Sequence, residues 1–303
     1  MDATDLGLRR IVVPTAVGPI VVHAGRSSGS PVATVLLHGA AGSWRTWVPL
    51  IAASDNLRLP LADIVAVDLP GWGESPGPVP DPVAIAVAVA AIARALGYPR
   101  WRLVGHSLGG VVALDVAARF PRATVAVGVV SPSGAGARAI ARHPLLGAVG
   151  LPGLAGMVVA MRVLRGLGPL SRPLLRVLAR LGVLGFLARP LFRRPSRVDR
   201  SVTDDLATEI RPAAFLAALR SARLHDEGVW RRIVCPVRVV RGRHDVFIAV
   251  RDPRAWARRI RDLDDTVLDD SGHFAHVEQP AETLRALRTV WAADRAPARR
   301  TRV

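Results

Sequence analysis

The chain has 303 residues, half of them apolar, so it can form one large domain or a core domain with an inserted subdomain. Its formal net charge of +17 is carried by arginine without any lysine, which raises the question of an anionic partner such as nucleic acid or a membrane surface. No zinc-finger, helix-turn-helix or interleaved aromatic pattern accompanies this charge, so we expect no nucleic-acid partner and interpret most of the excess as an arginine-rich composition bias.

Short valine-rich runs alternate with helical segments along most of the chain. Residues 8–13 and 19–24 flank a Gly18-Pro19 turn and predict an antiparallel hairpin. Later apolar runs are typical of strands buried on both faces of a parallel sheet: Val32–Leu37, Ile64–Val67, Arg102–Val104, Val125–Val130, Val237–Val240 and Thr266–Leu268. Helix signals lie between them at residues 81–97, Leu108–Arg119, Pro253–Arg261 and Pro280–Ala293. This alternation predicts an α/β fold.

The alternation stops after the sixth predicted strand. Residues 133–231 show no convincing strand and predict a helical lid inserted between the core segments 1–132 and 232–294, while residues 295–303 predict a basic disordered tail. Inside the lid, Pro144–Met161 carries no charge over 18 residues, which is the lower edge of a membrane-spanning length. Its four glycines and two prolines disfavour a spanning helix.

Other features bear on the compartment and on metals. The start of the chain lacks the apolar core of a signal peptide, so we expect a cytoplasmic protein, with peripheral membrane contact as an alternative. The single cysteine, Cys235, lies beside a predicted strand and is interpreted as a buried apolar residue rather than a nucleophile. No group of Cys and His residues has the spacing of a metal site, so no metal is expected.

The strongest motif is Gly105-His106-Ser107-Leu108-Gly109, which follows a predicted strand and opens an apolar helix. A Gly-x-Ser-x-Gly sequence in that setting is typical of a nucleophile elbow. The two glycines leave room for a tight turn, and the helix N-terminus directs its free N–H groups at a developing oxyanion. The motif therefore predicts Ser107 as a nucleophile.

A serine hydroxyl needs a base, and the base needs an acid that fixes its tautomer. His273 follows the last predicted strand, on the sheet edge where Ser107 is expected. Asp245 follows the strand before it, so the order is Ser, Asp, His, as in the hydrolases that carry this elbow. Asp269 and Asp270 are rivals of Asp245 for the acid, because they lie close to His273 in the chain.

An oxyanion hole needs two N–H donors. The first is expected from Leu108, directly after the nucleophile, and the second from the loop after an early strand. That loop is rich in small residues, and Ala40 is the candidate there, with Ala41 as its rival. Trp44, on the same loop, and His106, beside the serine, are candidates for substrate contact.

These motifs together resemble the α/β-hydrolase superfamily, in its capped esterase, lipase and cofactor-free haloperoxidase-like branch. Besides the elbow, they are His38-Gly39 with Gly42-Ser43, Asp68-Leu-Pro-Gly71-Trp-Gly73-Glu-Ser75, Gly242 with Asp245, and Gly272-His273. The resemblance covers roughly residues 8–132 and 232–293. It implies an eight-stranded, mostly parallel sheet flanked by helices, a lid after strand six, no cofactor, and a loop-shaping role for Asp68 and Gly71.

The lid carries an unusual charge pattern. From Ala117 to Val198 there is no Asp or Glu, and Arg172, Arg176 and Arg180 share one helical face among leucines and a valine. Such a helix either lies on an anionic membrane or covers the core with its arginines in water. Both interpretations predict an apolar pocket roof and a small, lipophilic substrate. The oligomeric state does not follow from the sequence.

The leading functional hypothesis is a carboxylic ester hydrolase that works through an acyl-enzyme on Ser107. Hydrolysis of a thioester, lactone, amide or C–C bond, and perhydrolysis, use the same residues and stay open. A hypothesis of another class is a non-catalytic binding protein or receptor of the same fold. The intact set of Ser107, Asp245 and His273 argues against it.

Overall fold

The computed structural model describes residues 2–181, 183, 189–223 and 225–292, without the side chains of 144–146, 172, 179 and 189. The predicted tail at 295–303 and the side chain of Arg172 therefore lie outside the described residues. The strands are β1 (Leu8–Thr15), β2 (Gly18–Gly25), β3 (Val32–Leu37), β4 (Ile64–Val67), β5 (Arg100–His106), β6 (Thr124–Val130), β7 (Val237–Gly242) and β8 (Leu263–Leu268).

These strands form one sheet in the order β1-β2-β4-β3-β5-β6-β7-β8. β2 is antiparallel to both β1 and β4, and every later neighbour pair is parallel. β3, β4 and most of β5 are fully buried, because helices cover both faces of the sheet. The predicted hairpin, the six later strands and the α/β class are confirmed.

Three helices precede β6 in the described part of the chain: α1 (Val48–Asn56), α2 (Pro82–Ala95) and α3 (Leu108–Arg119). The described helices between β6 and β7 are α4 (Ala135–Arg142), α5 (Pro144–Gly150), α6 (Pro152–Gly166), α7 (Ser171–Arg180), α8 (Arg200–Thr208) and α9 (Pro212–Ala222). After β7 come α10 (Asp252–Ala257), α11 (Ala275–Glu278), α12 (Pro280–Ala286) and α13 (Arg288–Ala292). Short 3-10 turns occur at Trp44–Trp47, Gly168–Leu170, Arg189–Leu191, Pro195–Arg197 and Glu227–Arg232.

Two apolar cores lie on the two faces of the sheet. One contains α2, α3 and Trp230, and the other contains α1, α12 and α13. The helix predicted over Pro280–Ala293 is divided at Leu287, whose buried side chain reaches the space beside Gly128 of β6. The helix predicted over Pro253–Arg261 ends earlier, at Ala257.

The described residues between β6 and β7, here called the helical insertion, form the helices α4 to α9. Several of these helices share a small apolar core with Phe247 and Ala249, which follow β7. The uncharged stretch Pro144–Met161 does not form one helix, because the chain breaks at Leu151 between α5 and α6. Among the described residues, no single helix has the length and apolar character to cross a membrane. By length and composition alone, Pro152–Gly166 and Gly168–Leu178 pass that test as a pair bent by 115°.

Candidate active site

Ser107 occupies a strained turn between β5 and α3. Its backbone has φ 51° and ψ −112°, in the left-handed region that a residue with a Cβ rarely adopts. The turn is possible because a Cβ on Gly105 would overlap the carbonyl oxygen of Gly109, and one on Gly109 would overlap that of Leu37. Close approach of β3, β5 and α3 at the two glycines thus places the Ser107 side chain on the wall of a large cavity.

The hydroxyl of Ser107 lies beside a second serine that sequence reasoning did not single out. Its Oγ is 3.3 Å from Oγ of Ser133, on the loop after β6. The backbone N–H of Ser133 also donates to the carbonyl oxygen of Ser107 at 3.2 Å. Ser133 therefore contacts the elbow through both its side chain and its backbone.

His273 and Asp245 form a buried pair. Nδ1 of His273 is 2.9 Å from Oδ2 of Asp245, and the exposed fractions of the two side chains are 8% and 2%. The backbone N–H of Phe247 donates to the same carboxylate at 2.8 Å. Burial would raise the pKa of Asp245, but the charge and hydrogen bond of His273 and the Phe247 N–H outweigh it and hold that pKa below its ordinary value. The carboxylate is thus ionised at neutral pH.

The two rival acids point elsewhere. Asp269 forms an ion pair with Arg243 at 2.6 Å, and Asp270 forms one with Arg194 at 2.7 Å. The structure therefore brings Asp245, and neither of its rivals, to Nδ1 of His273.

A glycine and a half-buried carboxylate hold the His273 loop in place. A Cβ on Gly242 would overlap the carbonyl oxygens of Ser271 and Gly272, so the end of β7 packs directly against the loop that follows β8. Glu278 accepts from the N–H of Gly272 at 2.6 Å and from the backbone N–H of Arg193 at 2.6 Å. It thereby ties the loop to the segment that leads out of the helical insertion, a role that no local pattern in the sequence indicates.

The ring of His106 packs against that of His273, with 4.8 Å between the ring centroids. Its Nε2 is 3.1 Å from the carbonyl oxygen of His273, and because that oxygen only accepts, Nε2 carries the hydrogen. The ring is 1% exposed, although it contributes to the cavity floor. Burial, followed by the neighbouring His276 and His273, lowers the pKa of His106 well below its ordinary value, so the ring is neutral.

His276 lies three residues after His273 and packs against the neighbouring rings. Its ring centroid is 4.5 Å from that of Trp47 and 4.6 Å from that of His106, and both of its nitrogens lack a hydrogen-bond partner in the described structure. Burial lowers its pKa to about 3.

The two candidate oxyanion donors lie on facing segments. A Cβ on Gly39 would be 3.1 Å from Cβ of Ser107, so the loop after β3 packs directly on the elbow. Ala40, Ala41 and Leu108 all border the same cavity as Ser107. Leu108 is the first residue of α3, and neither its N–H nor that of Ala40 or Ala41 is used in any hydrogen bond found among the described residues.

The prediction that Trp44 contacts the substrate is wrong, because Trp44 does not line the cavity. The 3-10 turn Trp44–Trp47 directs its side chain into the core, where it is 3% exposed and stacks on His23 with ring centroids 4.2 Å apart. Its backbone N–H donates to Asp68 at 2.8 Å. The aromatic ring therefore stabilises the loop from below and is out of reach of a substrate.

Asp68 performs the loop-shaping role expected of it. Besides Trp44, it accepts from the N–H of Glu74 at 2.9 Å, and a Cβ on Gly73 would overlap its carboxylate. With His23 and Glu74 it forms a group of potential metal ligands among the described residues. Its oxygens are already engaged by backbone N–H groups, and Glu74 pairs with Arg10 at 2.6 Å, so we assign no metal chemistry to this group.

The cavity next to Ser107 and His273 has a volume of about 1480 Å³. Its wall is formed mainly by apolar side chains of the helical insertion, among them Met157, Met161, Leu164, Leu175, Leu178 and Phe215. Polar side chains also contribute, among them Arg138, His225 and Glu227. A cavity of this size and lining fits an extended lipophilic ligand.

A second buried His–Asp pair lies in the wall of this cavity. Asp115 of α3 is 0% exposed and accepts from Nε2 of His225 at 2.9 Å and from Nε1 of Trp230 at 2.8 Å. The three residues connect the helix that follows Ser107 to the chain that leaves the insertion. His225 and Trp230 lie 110 and 115 residues after Asp115 in the sequence, which is why no motif revealed the cluster.

Comparison with known proteins identifies the family. A family model described as the alpha/beta hydrolase family matches residues 34–286. The chain therefore belongs to the alpha/beta hydrolase family, and it is a hydrolase.

Curated relatives are distant. The chain is 30% identical over 268 residues to the pimeloyl-[acyl-carrier protein] methyl ester esterase of Methylococcus capsulatus, with 86% of this chain and 95% of that protein covered. It is 27% identical over 270 residues, 84% of its length, to the dihydrolipoyllysine-residue acetyltransferase component of the acetoin cleaving system of Pseudomonas putida. The chain spans 61% of that protein and 31% of the corresponding component of Cupriavidus necator.

Solved structures share the fold. A bacterial membrane phospholipase A superposes with a TM-score of 0.71 at 19% identity, covering 96% of this chain and 88% of that one. A thermophilic esterase from Thermogutta terrifontis superposes with a TM-score of 0.69 at 20% identity, covering 94% and 98%. At these identities the likeness extends to the fold alone.

Proposed function

We propose that the protein hydrolyses carboxylic esters with a lipophilic acyl or alcohol part, through a triad of Ser107, His273 and Asp245. The observation that carries the proposal is the buried His273–Asp245 pair, with 2.9 Å between Nδ1 and Oδ2, which shares one apolar cavity with the strained Ser107. Hydrolysis follows from the family, and the ester bond and these residues are the proposed part.

The proposed reaction proceeds by acyl transfer to water. Asp245 keeps the proton of His273 on Nδ1, which leaves Nε2 free to take the proton of Ser107. Ser107 Oγ then attacks the ester carbonyl, and the N–H groups of Leu108 and Ala40 stabilise the oxyanion. His273 protonates the departing alcohol. A water molecule activated by the same nitrogen releases the acid.

Ser133 holds the Ser107 hydroxyl in the resting state. The 3.3 Å contact between the two Oγ atoms occupies the hydroxyl, so catalysis requires a rotation of the Ser107 side chain that exchanges this contact for one to Nε2 of His273. Such hydrogen bonds often tighten only when substrate is bound. Ser133 itself is a poorer nucleophile candidate, because its N–H is bonded to the carbonyl oxygen of Ser107 and its backbone lacks the positive φ that Ser107 adopts at the elbow.

The lipophilic substrate class is supported by the cavity. Burial of apolar surface gives roughly 0.8 kcal/mol per methylene, so a long chain that fills the apolar walls would bind far more tightly than a short one. The methyl ester esterase relative, aligned over 95% of its length, is consistent with ester chemistry. Thioester, lactone, amide and C–C substrates and perhydrolysis are the alternatives within the same triad.

Labelling with a fluorophosphonate, read by intact mass, tests the nucleophile. The wild type and Ser133→Ala are expected to gain one adduct each, and Ser107→Ala is expected to gain none. An adduct that persists in Ser107→Ala and disappears in Ser133→Ala would move the nucleophile to the other serine. A wild type that is never labelled would favour the non-catalytic receptor.

A further inference from the structure

An exposed aliphatic surface covers the outer side of α6, α7 and the turn between them. We define it by the residues Val159, Val163, Leu170, Leu174, Val177 and Leu181, whose exposed fractions range from 39% to 70%. The opposite side of α6 is buried, with Leu154, Val158 and Met161 in the core of the insertion. A surface helix normally exposes polar residues to solvent. α6 and α7 depart from this pattern, because they expose apolar side chains on their solvent-facing side.

The polar residues that border the aliphatic surface carry one sign of charge. Arg162, Arg165, Arg176 and Arg180 are exposed on the same two helices. No Asp or Glu occurs in the sequence between Ala117 and Val198. The surface is therefore both apolar and cationic, without carboxylates from its own segment to neutralise it.

The cavity opens at this surface. Gly156, Val163, Arg180 and Leu181 line the cavity that starts at Ser107, and each of them is also exposed. Pro190, Ser196, Arg200 and Asp204 meet the same two conditions, so the mouth is bordered by α6, the end of α7 and the segment 190–204. The aliphatic surface therefore borders one side of the mouth.

We propose that the aliphatic surface docks on an anionic lipid bilayer and that the substrate passes from the bilayer into the mouth. Helices that present aliphatic side chains flanked by arginines match a bilayer with acidic headgroups, because the chains enter the acyl boundary while the guanidinium groups stay at phosphate level. The proposed docking depends only on the aliphatic surface and its arginines, whereas the proposed entry route also rests on the proposed ester hydrolysis.

Other occupants fit less well. A second copy would bring two predominantly cationic surfaces together, and like charges at such an interface repel. Nucleic acid would pair with the arginines but leave the aliphatic side chains in water. An acidic protein with an apolar patch is the remaining competitor, and the experiment below distinguishes it because the vesicles contain no protein.

The test is flotation of the full chain with vesicles of phosphatidylcholine, with and without a third of phosphatidylglycerol. The wild type should float with the anionic vesicles, less so in high salt, and only weakly with the neutral ones. Val159→Glu/Val177→Glu places carboxylates on the surface at positions that do not line the cavity. It should reduce the bound fraction by about tenfold or more. The matched control is Val12→Glu/Val234→Glu, which makes the same change at exposed valines outside the helices α4 to α9 and should float like the wild type.

Turnover of a soluble short-chain ester, measured on the same samples, separates the two proposals. Val159→Glu/Val177→Glu should keep that turnover, and Ser107→Ala should lose it while still floating. Failure of the wild type to bind anionic vesicles, or equal binding by both double variants, would overturn the docking. A wild-type dimer that the Val159→Glu/Val177→Glu variant dissociates would instead assign the surface to a second copy.

Discussion

Nε2 of His106 lies 3.1 Å from the carbonyl oxygen of His273, so the residue before the proposed nucleophile donates a hydrogen bond to the backbone of the proposed base. The two residues are 167 positions apart in the chain. This bond fixes the distance between the elbow and the His273 loop. His106 is therefore a positioning residue, and its effect should appear in turnover more than in binding.

The first prediction concerns that bond. His106→Leu should lower kcat about tenfold or more with little change in KM, since a misplaced base slows the chemical step more than it weakens binding of a lipophilic chain. His106→Gln, which can still donate to the His273 carbonyl, should recover part of the loss. Steady-state kinetics with a short ester checks this. Equal losses in both variants would show that the ring acts by volume alone.

The second prediction concerns Glu278, which accepts backbone N–H groups from both the His273 loop and the insertion. Glu278→Gln turns one acceptor oxygen into a donor that faces another donor. We expect a loss of about 1–3 kcal/mol in the free energy of unfolding, together with a lower kcat. Glu282→Gln is the matched control, because Glu282 is half exposed and pairs with Arg285 on its own helix. If urea unfolding showed equal effects in the two variants, the anchoring role would be wrong.

The third prediction is loss of stability in acid. Burial lowers the pKa of several histidines, to about 4 for His38 and about 3 for His276, and well below the ordinary value for His106. In the unfolded chain each would titrate near its ordinary pKa of 6.5. Between pH 6.5 and about 4 the unfolded state therefore binds more protons, and stability falls as pH falls, by about 1.4 kcal/mol per pH unit for each histidine.

Urea unfolding at a series of pH values measures that slope. His276→Leu removes a titrating ring that makes no hydrogen bond in the described structure, so it should make the acid slope shallower by about one proton without loss at pH 7.5. An unchanged slope would mean that His276 is not buried in its neutral form.

The fourth prediction concerns the buried carboxylate in α3. Asp115→Ala leaves the Nε1–H of Trp230 and Nε2 of His225 without their acceptor, and opens space under the elbow helix. Removal of one partner from such a buried pair costs roughly 3–5 kcal/mol. Asp264→Ala, at an exposed position on β8, serves as the control and should cost little. A small effect of Asp115→Ala on unfolding would show that the cluster contributes little to stability.

The sheet was predictable because buried parallel strands appear in the sequence as continuous valine-rich runs. Ser107 was predictable as a candidate nucleophile because its elbow needs two glycines at fixed spacing. His273 and Asp245 followed from chain order at the ends of two neighbouring strands. The structure places these two within hydrogen-bond distance of each other. Their catalytic roles remain the proposal to be tested.

Long-range contacts escaped prediction. Ser133 and the Asp115–His225 pair act through partners far along the chain, and Glu278 joins the nearby Gly272 to the distant Arg193. Nothing near these residues in sequence marks the distant partners. Trp44 was misjudged because an aromatic residue on a glycine-rich loop can turn outward or inward, and only packing on His23 decides. The helix α1 went unrecognised, since Val48–Asn56 shows no clear amphipathic pattern.

The most direct measurement is a series of initial rates on p-nitrophenyl esters from acetyl to dodecanoyl, for the wild type, Ser107→Ala and Ser133→Ala. The account predicts that kcat/KM of the wild type rises with chain length until the cavity is filled. It also predicts that Ser107→Ala loses at least about a thousandfold in rate and that Ser133→Ala loses far less. Wild-type turnover that survives in Ser107→Ala, or its absence at every chain length, would contradict the proposed esterase.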